Sequence, residues 1–378
     1  MGNPFYFQEV PVDAPFCDRE DELRELQSYA EAKANVVLYS PRRYGKTSLA
    51  KRVQKQLADR GAITIFADLF GVASTEDAAA RLAKAIFCVT HSKEPLWKTA
   101  LRVMQSFRPV LKPEADGSVT LSVEPSSASK SGMALLHDTM ESLGAFIKAT
   151  KKLVHITLDE FQEIVTLKES LQIEAAMRTS IQQQQAAFFF VGSRRRVLLG
   201  IFNERQRPFF QSAINYQLPC LPADALTEFI AKQFSTGKKK CSPAAARTLV
   251  ASTGCHPYYS QKLAFFVYEC PGAVTGETVV AGMDKLMQSD RPVFEAILQG
   301  LSPQQRLLLQ SIAKEPTSQM LAGDYIRKHR LGSVGGVQHS SRQLEDLDLI
   351  EKNATTGFWE LVDPILSLWL KKQAEAKV

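Results

Sequence analysis

The sequence predicts an α/β domain built on a parallel sheet, followed by a helical segment and a C-terminal winged helix. Three observations carry that prediction. As far as residue 221, short apolar runs rich in β-branched residues alternate with segments of helical period, the pattern of parallel β-α-β units. Beyond residue 222 the strand-like runs stop, while helical ones continue to 298. From 299 onward three more helical patterns precede a hairpin-like turn and an apolar tail, the order of a winged helix. The expected domains are residues 1–221, 222–298 and 299–378.

Each element has a local reason. "DREDELRELQSYAEA" opens with Asp18 as its expected N-cap, carries acids in its first turn, and puts Leu23 and Leu26 on one face. "NVVLYS" is a buried-strand run. After Gly45, Leu49, Val53 and Leu57 recur four apart, and Gly61 is expected to close that helix. "AITIFADLF" (62–70) is a second strand, and Ser74 with Asp77 opens another helix. Two strand-like runs within 107–124 flank Asp116-Gly117, a hairpin turn signal. A helix over about 132–150 leads into "KLVHITLDEFQEI", an apolar strand ending in two acids. A further helix precedes "AAFFFVGSRRR", a buried strand with a polar end, and "INYQLPCL" (214–221) is the expected last strand. No internal repeat or low-complexity tract interrupts this order.

With 45% hydrophobic and 23% charged residues, the 378-residue chain has the composition of a soluble globular protein of two or three domains. A net charge of +6 is compatible with nucleic acid, nucleotide or simply a basic surface. The six cysteines (Cys17, Cys88, Cys220, Cys241, Cys255 and Cys270) form no C-x-x-C pair and have no histidine at ligand spacing. That argues against zinc and disulfide frameworks and for free thiols in a reducing cytoplasm. No apolar run approaches the ~20 residues that span a bilayer, and "MGNPFYFQ" lacks the charged and apolar regions of a signal peptide. A cytoplasmic protein without a membrane partner is expected.

The stretch that carries chemistry is "NVVLYSPRRYGKTSLAKRV" (35–53). The phosphate-loop pattern G-x-x-x-x-G-K-[ST] is met at Gly45, Lys46 and Thr47, while Ser40 stands at the first glycine. A strand ending in such a loop and followed by a helix presents backbone N–H groups and a partial positive charge to phosphates. Lys46 would reach the β- and γ-phosphates, and the Thr47 hydroxyl would bind Mg²⁺. Gly45 is needed where the backbone passes closest to phosphate, whereas a small residue such as Ser40 can make the first turn. Pro41 prefixes the loop conformation, and Arg42 and Arg43 add positive charge. The bland alternative is a surface turn that contains Gly-Lys-Thr by chance.

A second motif argues against that alternative. "LVHITLDE" ends at Asp159 and Glu160: an acid expected on a neighbouring strand to hold the Mg²⁺ water shell, and a base to activate the attacking water. In "FFFVGSRRR", Ser193 and Arg194 are placed to touch the γ-phosphate or that water, while Arg195 and Arg196 read better as a solvated helix start.

With these motifs, and with "NPF" (3–5), "PFCDREDEL" (15–23), "STGCHPYY" and "LVDPILSLWL", the chain resembles the archaeal-type ATPases. That family, also found in bacteria, lies in the STAND/AAA+ branch of P-loop NTPases. The resemblance runs along nearly the whole chain and implies an AAA+/STAND-like nucleotide domain, a helical lid and a winged helix, in that order. It also implies Ser-Pro-Arg-Arg where other loops have Gly, so that Ser40, Pro41, Arg42, Arg43, Tyr44, Gly45, Lys46, Thr47 and Ser48 make one nucleotide loop. Phe16, Arg19 and Glu20 are implied to approach adenine and ribose. His256 and Pro257, in Gly254-Cys255-His256-Pro257, stand with one extra residue where the lid's G-x-P motif packs on the nucleoside; a core histidine at a helix start is the alternative for His256. Gln211 stands where many members carry Arg, and the 107–124 hairpin is similar to an insertion seen in the family.

The leading expectation is therefore a nucleotide-driven conformational switch that binds ATP with Mg²⁺ and hydrolyses it slowly to ADP. Lys46, Glu160, Ser193 and Arg194 are the expected catalytic groups, and Thr47 and Asp159 the metal site. ATP is preferred over GTP through the resemblance, and no guanine-reading N/T-K-x-D motif occurs. Two alternatives stay open: a DNA-binding regulator, and a scaffold for a partner protein or for self-assembly in which nucleotide is regulatory or structural. The recognition-helix segment "SVGGVQHSSRQLEDLDLI" carries one Arg and one His beside Glu345, Asp346 and Asp348. From residue 300 onward ten Lys/Arg face nine Asp/Glu, weak for binding a phosphate backbone. The more basic runs are Arg194–Arg196 and Lys238–Lys240.

Overall fold

The computed structural model describes residues 2–91, 106–113, 119–126, 130–353 and 355–375. Contacts divide the chain into two compact units. One consists of Arg19–Ser40 and Lys46–Leu218, the other of Met1–Asp18, Pro41–Gly45 and Pro219–Val378.

The first unit is a five-stranded parallel sheet with helices. In chain order its elements are α1 (Glu20–Glu31), β1 (Val36–Tyr39), α2 (Lys46–Asp59), β2 (Ile63–Asp68), α3 (Thr75–His91), β3 (Phe107–Pro113), β4 (Val119–Pro125), α4 (Gly132–Thr150), β5 (Val154–Asp159), α5 (Ser170–Gln182), β6 (Ala187–Gly192), α6 (Arg195–Asn203) and β7 (Ile214–Gln217). The sheet order is β2-β5-β6-β1-β7, and β3 and β4 pair separately as an antiparallel hairpin. The expected hairpin turn at Asp116-Gly117 lies outside the described residues.

Four expectations change in detail. Asp18 does not cap α1: its backbone is left-handed at φ 40°, and Arg19 holds the N-cap position without a side-chain hydrogen bond. The second strand stops at Asp68, because the Asp68 carboxylate accepts from the Phe70 N–H at 2.8 Å and turns the chain. The last strand stops at Gln217; Leu218 donates the final ladder bond to Tyr39 (2.9 Å), and Pro219 has no N–H to continue it. Finally, β5 is not the neighbour of β1, since β6 lies between them.

Strands β5 and β6 are buried along their whole length, as central parallel strands covered on both faces must be. Phe190 on β6 is fully buried against Phe161, Phe202 and Phe209, with ring centroids 4.7–5.4 Å away. A polar network fixes α2 on the sheet. The Gln54 carboxamide donates to the Ile65 carbonyl (2.8 Å) and to Thr157 Oγ1 (2.9 Å), with His155 Nδ1 at 3.3 Å. His155 is wholly enclosed, and burial pushes its imidazole down to about 3, so the ring is neutral.

The second unit is helical: α7 (Ala223–Thr236), α8 (Pro243–Ser252), α9 (Pro257–Tyr268) and α10 (Gly276–Gln299), then α11 (Pro303–Lys314), α12 (Gly323–His329) and α13 (Val334–Asp346). The hairpin β8 (Ile350–Lys352) with β9 (Trp359–Leu361) follows, and α14 (Pro364–Glu375) ends it. Ser242, Thr275, Ser302 and Ser333 cap the helices that follow them. The segment through Ile350 does not stay helical: Asp348 turns left-handed at φ 55°, and Ile350 begins β8. The apolar tail is helical, with Ile365, Leu366, Trp369 and Leu370 buried. The N-terminal segment, which the sequence reading assigns to the sheet domain, packs here instead. Phe5 is buried edge-on to Phe234 (4.6 Å), and Asn3 donates to the Phe265 carbonyl at 3.1 Å.

Replacing Phe190 by Ala removes the ring at the centre of the aromatic cluster and should destabilise the sheet unit by about 3–5 kcal/mol. The measurement is urea unfolding followed by amide exchange in β6, with an unshifted transition contradicting the packing account.

Candidate nucleotide site

The candidate site is assembled at the C-terminal ends of β1, β5 and β6, where ligands of open α/β sheets bind. β1 ends in the loop from Ser40 to Gly45, and α2 starts at Lys46. Gly45 adopts φ +89°, open to glycine at little cost, and Arg43 adopts φ +65°. Within the sheet unit, Lys46 is 5% exposed, and its ammonium donates to the Ser40 carbonyl (3.0 Å) and to Ser40 Oγ (3.3 Å). Ser40, fully buried, thus both turns the chain and holds the lysine head.

One turn into the site, the Thr47 hydroxyl donates to Asp159 Oδ2 at 2.8 Å, and the Glu160 N–H donates to Asp159 Oδ1 at 3.1 Å. Asp159 is 5% exposed, and burial raises its carboxyl to about 6; the Thr47 and Glu160 N–H bonds oppose the rise, while Glu160 and Asp68 add to it. Asp68 stands opposite Asp159 in the β2–β5 register. A hydroxyl and a desolvated carboxylate, both hard oxygen donors, fit Mg²⁺. A cation there would also relieve the unfavourable burial of the charge.

Glu160 lies just beyond β5 at φ 51°. Its carboxylate accepts from Gln162 and from Ser193 Oγ (3.3 Å), and Ser193 is 2% exposed. Asp159, Glu160 and Ser193 are therefore brought together. Arg194, at the N-cap of α6, has its guanidinium 3.9 Å from Glu163. Arg196 is exposed and Arg195 half-buried, at the start of α6. Arg19 is 3% exposed and ion-paired with Glu22, and the Glu20 carboxylate accepts the Arg19 N–H. Gln211 is exposed in a left-handed conformation, while the nearby Arg207 pairs with buried Glu174.

The second unit contains Phe16, the loop tip Pro41–Gly45, His256 and Pro257. The Arg43 guanidinium lies 4.2 Å from the Tyr258 ring centroid, and Tyr44 meets His256 edge-on at 4.9 Å. His256 is buried at the N-cap of α9, and Pro257 is the first residue of that helix. The Tyr259 hydroxyl donates to Asp363 at 2.5 Å, and Asp363 also accepts the N–H groups of Ile365 and Leu366 at the start of α14. Sequence reasoning missed Tyr258, Asp363, Gln162 and Gly192. The aromatic pair in "HPYY", the Asp in "LVDPILSLWL", the Gln in "LDEFQ" and the Gly in "FFFVGS" lay inside quoted motifs without being singled out. Lys239, in the basic run, donates to the carbonyls of Val267 and Tyr268 and so caps the end of α9.

Residues 16–209 match the family described as an ATPase domain predominantly from Archaea, just over half of the chain. The chain belongs to this ATPase family. Residues 292–372 match a second family, described as "Probable winged helix domain". Among solved structures, the chain is similar to the Walker-type ATPase PABY2304 of Pyrococcus abyssi (TM-score 0.70, 16% identity, 97% of this chain and 99% of that one). It is also similar to the Aeropyrum pernix ORC2 protein in ADPNP–ADP complexes (0.57, 13%, 98% and 97%). A third likeness is to the Aeropyrum pernix ORC1 protein in complex with DNA (0.53, 14%, 98% and 95%). At such identities the likeness is one of fold. Comparison with curated protein sequences returned no match. Among the described residues no helix is long and apolar enough to cross a membrane, and no disulfide links the six cysteines.

The unfolded chain releases the Asp159 proton near 3.8 and the folded chain near about 6, so the nucleotide-free protein should lose stability as pH rises through that window. Asp159→Asn should then raise its stability at pH 7.5 by about 1–2 kcal/mol while removing any further stabilisation by Mg²⁺-ATP. In the unsubstituted protein, Mg²⁺-dependent ATP affinity should weaken about tenfold per pH unit below about pH 6, since metal and proton compete. Thermal melts and calorimetry across pH 5–8 check both; a flat pH response would refute the assignment.

Proposed function

We propose that this ATPase-family protein binds ATP with Mg²⁺ and hydrolyses it slowly to drive a conformational switch. The observation that carries the reading is the 2.8 Å hydrogen bond between Thr47 and Asp159, which joins the loop helix to the acidic strand end. Mg²⁺, held by Thr47 and Asp159, supplies positive charge to the phosphates. Lys46 exchanges its bonds to Ser40 for the β- and γ-phosphate oxygens, and the N–H groups of the loop from Pro41 to Ser48, with its Arg42 and Arg43, surround the phosphates. Glu160 takes a proton from the attacking water, and Ser193 and Arg194 meet the γ-phosphate side of the reaction. The candidates to meet the nucleoside are Arg19 and Glu20 within the sheet unit and, separately, Phe16, His256 and Pro257 within the helical unit.

The switch reading has its own support in the contacts of the loop tip. Arg43 on Tyr258 and Tyr44 on His256 tie the loop to α9, and Tyr259 ties α9 to Asp363 at the start of α14. Phosphate that draws Arg43 away from its ring changes the first link of that chain. The STAND or AAA+ subclass, an ATP-dependent protein partner or self-assembly, and a cytoplasmic setting belong to this reading. The DNA-binding alternative has weaker support: the exposed face of α13 offers Arg342 and His339 as its basic groups.

Lys46→Ala should weaken ATP binding about tenfold to a hundredfold, the worth of one or two charge-assisted hydrogen bonds. Unchanged binding by calorimetry would remove Lys46 from the site. Glu160→Gln should keep ATP affinity and lower phosphate release about a hundredfold or more, and turnover at the unsubstituted rate would show that Glu160 is not the base. A mobility shift of duplex DNA that steepens as salt falls would favour the alternative.

A further inference from the structure

Gln162 and Gly192 carry no role in the reading above, yet both are built around the Glu160 carboxylate. Glu160 is left-handed at φ 51°, outside strand and helix, so the pleat of β5 does not aim its side chain. Two donors meet one of its oxygens: Gln162 Nε2 and Ser193 Oγ both donate to Oε2. Among the described residues Oε1 accepts no hydrogen bond.

Gln162 is itself wholly buried, and its own carbonyl oxygen finds no donor. An orphaned buried carbonyl is costly, and an apolar side chain of the same shape would avoid it. The fold nonetheless makes room for this amide. A β-carbon on Gly192 would lie 1.9 Å from Gln162 Oε1 and 3.0 Å from its Cδ. The Gly192 backbone is not among the left-handed positions, so what a side chain there would meet is occupied space, taken by the Gln162 carboxamide and, at 3.1 Å, by Leu198 Cδ2. Gly192 ends β6 immediately before Ser193, so one strand end supplies both the second donor and the room for the first.

We propose that Gln162 is a positioning residue which, with Ser193, holds the Glu160 carboxylate through Oε2 and leaves Oε1 to take the proton of the attacking water. The proposal rests on Glu160 being the base for ATP hydrolysis. In that step a water O–H bond breaks, its proton passes to Oε1, and the water oxygen bonds to the γ-phosphorus. The bond from that phosphorus to the bridging oxygen breaks, and its electron pair leaves with ADP. Holding one carboxylate oxygen removes the rotamer search from each turnover, which acts on kcat and leaves ATP binding alone.

The test uses the full chain. Gln162→Met keeps the volume and removes the donor; kcat should fall about tenfold or more while the ATP Kd stays within about twofold. Gly192→Ala should push the carboxamide out of place and lower kcat in the same way, but should add less than about twofold in a Gln162→Ala background. Unchanged or faster turnover in Gln162→Met, or additive losses in the double variant, would overturn the proposal. A second readout needs no turnover: carbodiimide coupling of glycine ethyl ester to Glu160, followed by peptide mass spectrometry. Labelling should be several-fold faster in Gln162→Met, and equal labelling counts against the positioning contact. Faster labelling in a protein that binds ATP but never hydrolyses it would uphold the contact and sink the base assignment instead.

Discussion

A buried carboxylate organises the sheet unit. Asp159 sits 5% exposed at the end of a strand buried along its whole length, where a charge is expensive. The surrounding structure compensates only in part. The Thr47 hydroxyl and the Glu160 N–H each give it one hydrogen bond, while Asp68 and Glu160 stand close enough to oppose its ionisation. For Thr47 to reach it, α2 must lie at a fixed height over the sheet. That height is set behind the site by Gln54, which bonds β2 and β5 at once, with neutral His155 beside it. A site that is electrostatically incomplete and mechanically well braced is suited to take up a cation.

Much of this was legible in the sequence, because it rests on short-range patterns. "NVVLYS" followed by Gly45-Lys46-Thr47 specifies strand, loop and helix through local chemistry, and "LVHITLDE" and "FFFVGS" mark strand ends by their polar residues. What was not legible depends on partners far away along the chain. That β6 lies between β1 and β5 is a matter of sheet order, which no local run encodes. Asp18 has the chemistry of an N-cap, but the left-handed turn there hands the position to Arg19. Gln162 reads as one polar residue among several in "DEFQEI", and only the missing side chain of Gly192, thirty positions later, reveals what it fits against. The run Lys238–Lys240 reads as a basic patch, yet Lys239 is spent on the carbonyls at the end of α9.

Two of the left-handed non-glycine residues belong to the motifs that carry the chemistry. Arg43 and Glu160 are both left-handed without being glycine, one in the phosphate loop and the other beside the acidic strand end. Each costs conformational energy that the surrounding contacts must hold in place. Arg43 is held by the Tyr258 ring, and Glu160 by Gln162 and Ser193. In both cases the side chain is aimed by the strained backbone and secured by a neighbour from another part of the chain.

The insertion of Phe5 beside Phe234 has a consequence for biosynthesis. The helical unit is discontinuous: it draws on residues 2–18 as well as on everything after Leu218, and Asn3 bonds a carbonyl 262 positions away. The sheet unit, by contrast, is complete once Leu218 has been made. On a ribosome this segment, made before the helices it packs on, must therefore wait, with its aromatic side chain unburied, until α7 and α9 emerge. Closing so long a loop also places this contact among the slow, late steps of folding. A segment placed early in the chain thus has its partners only in helices that follow more than two hundred positions later.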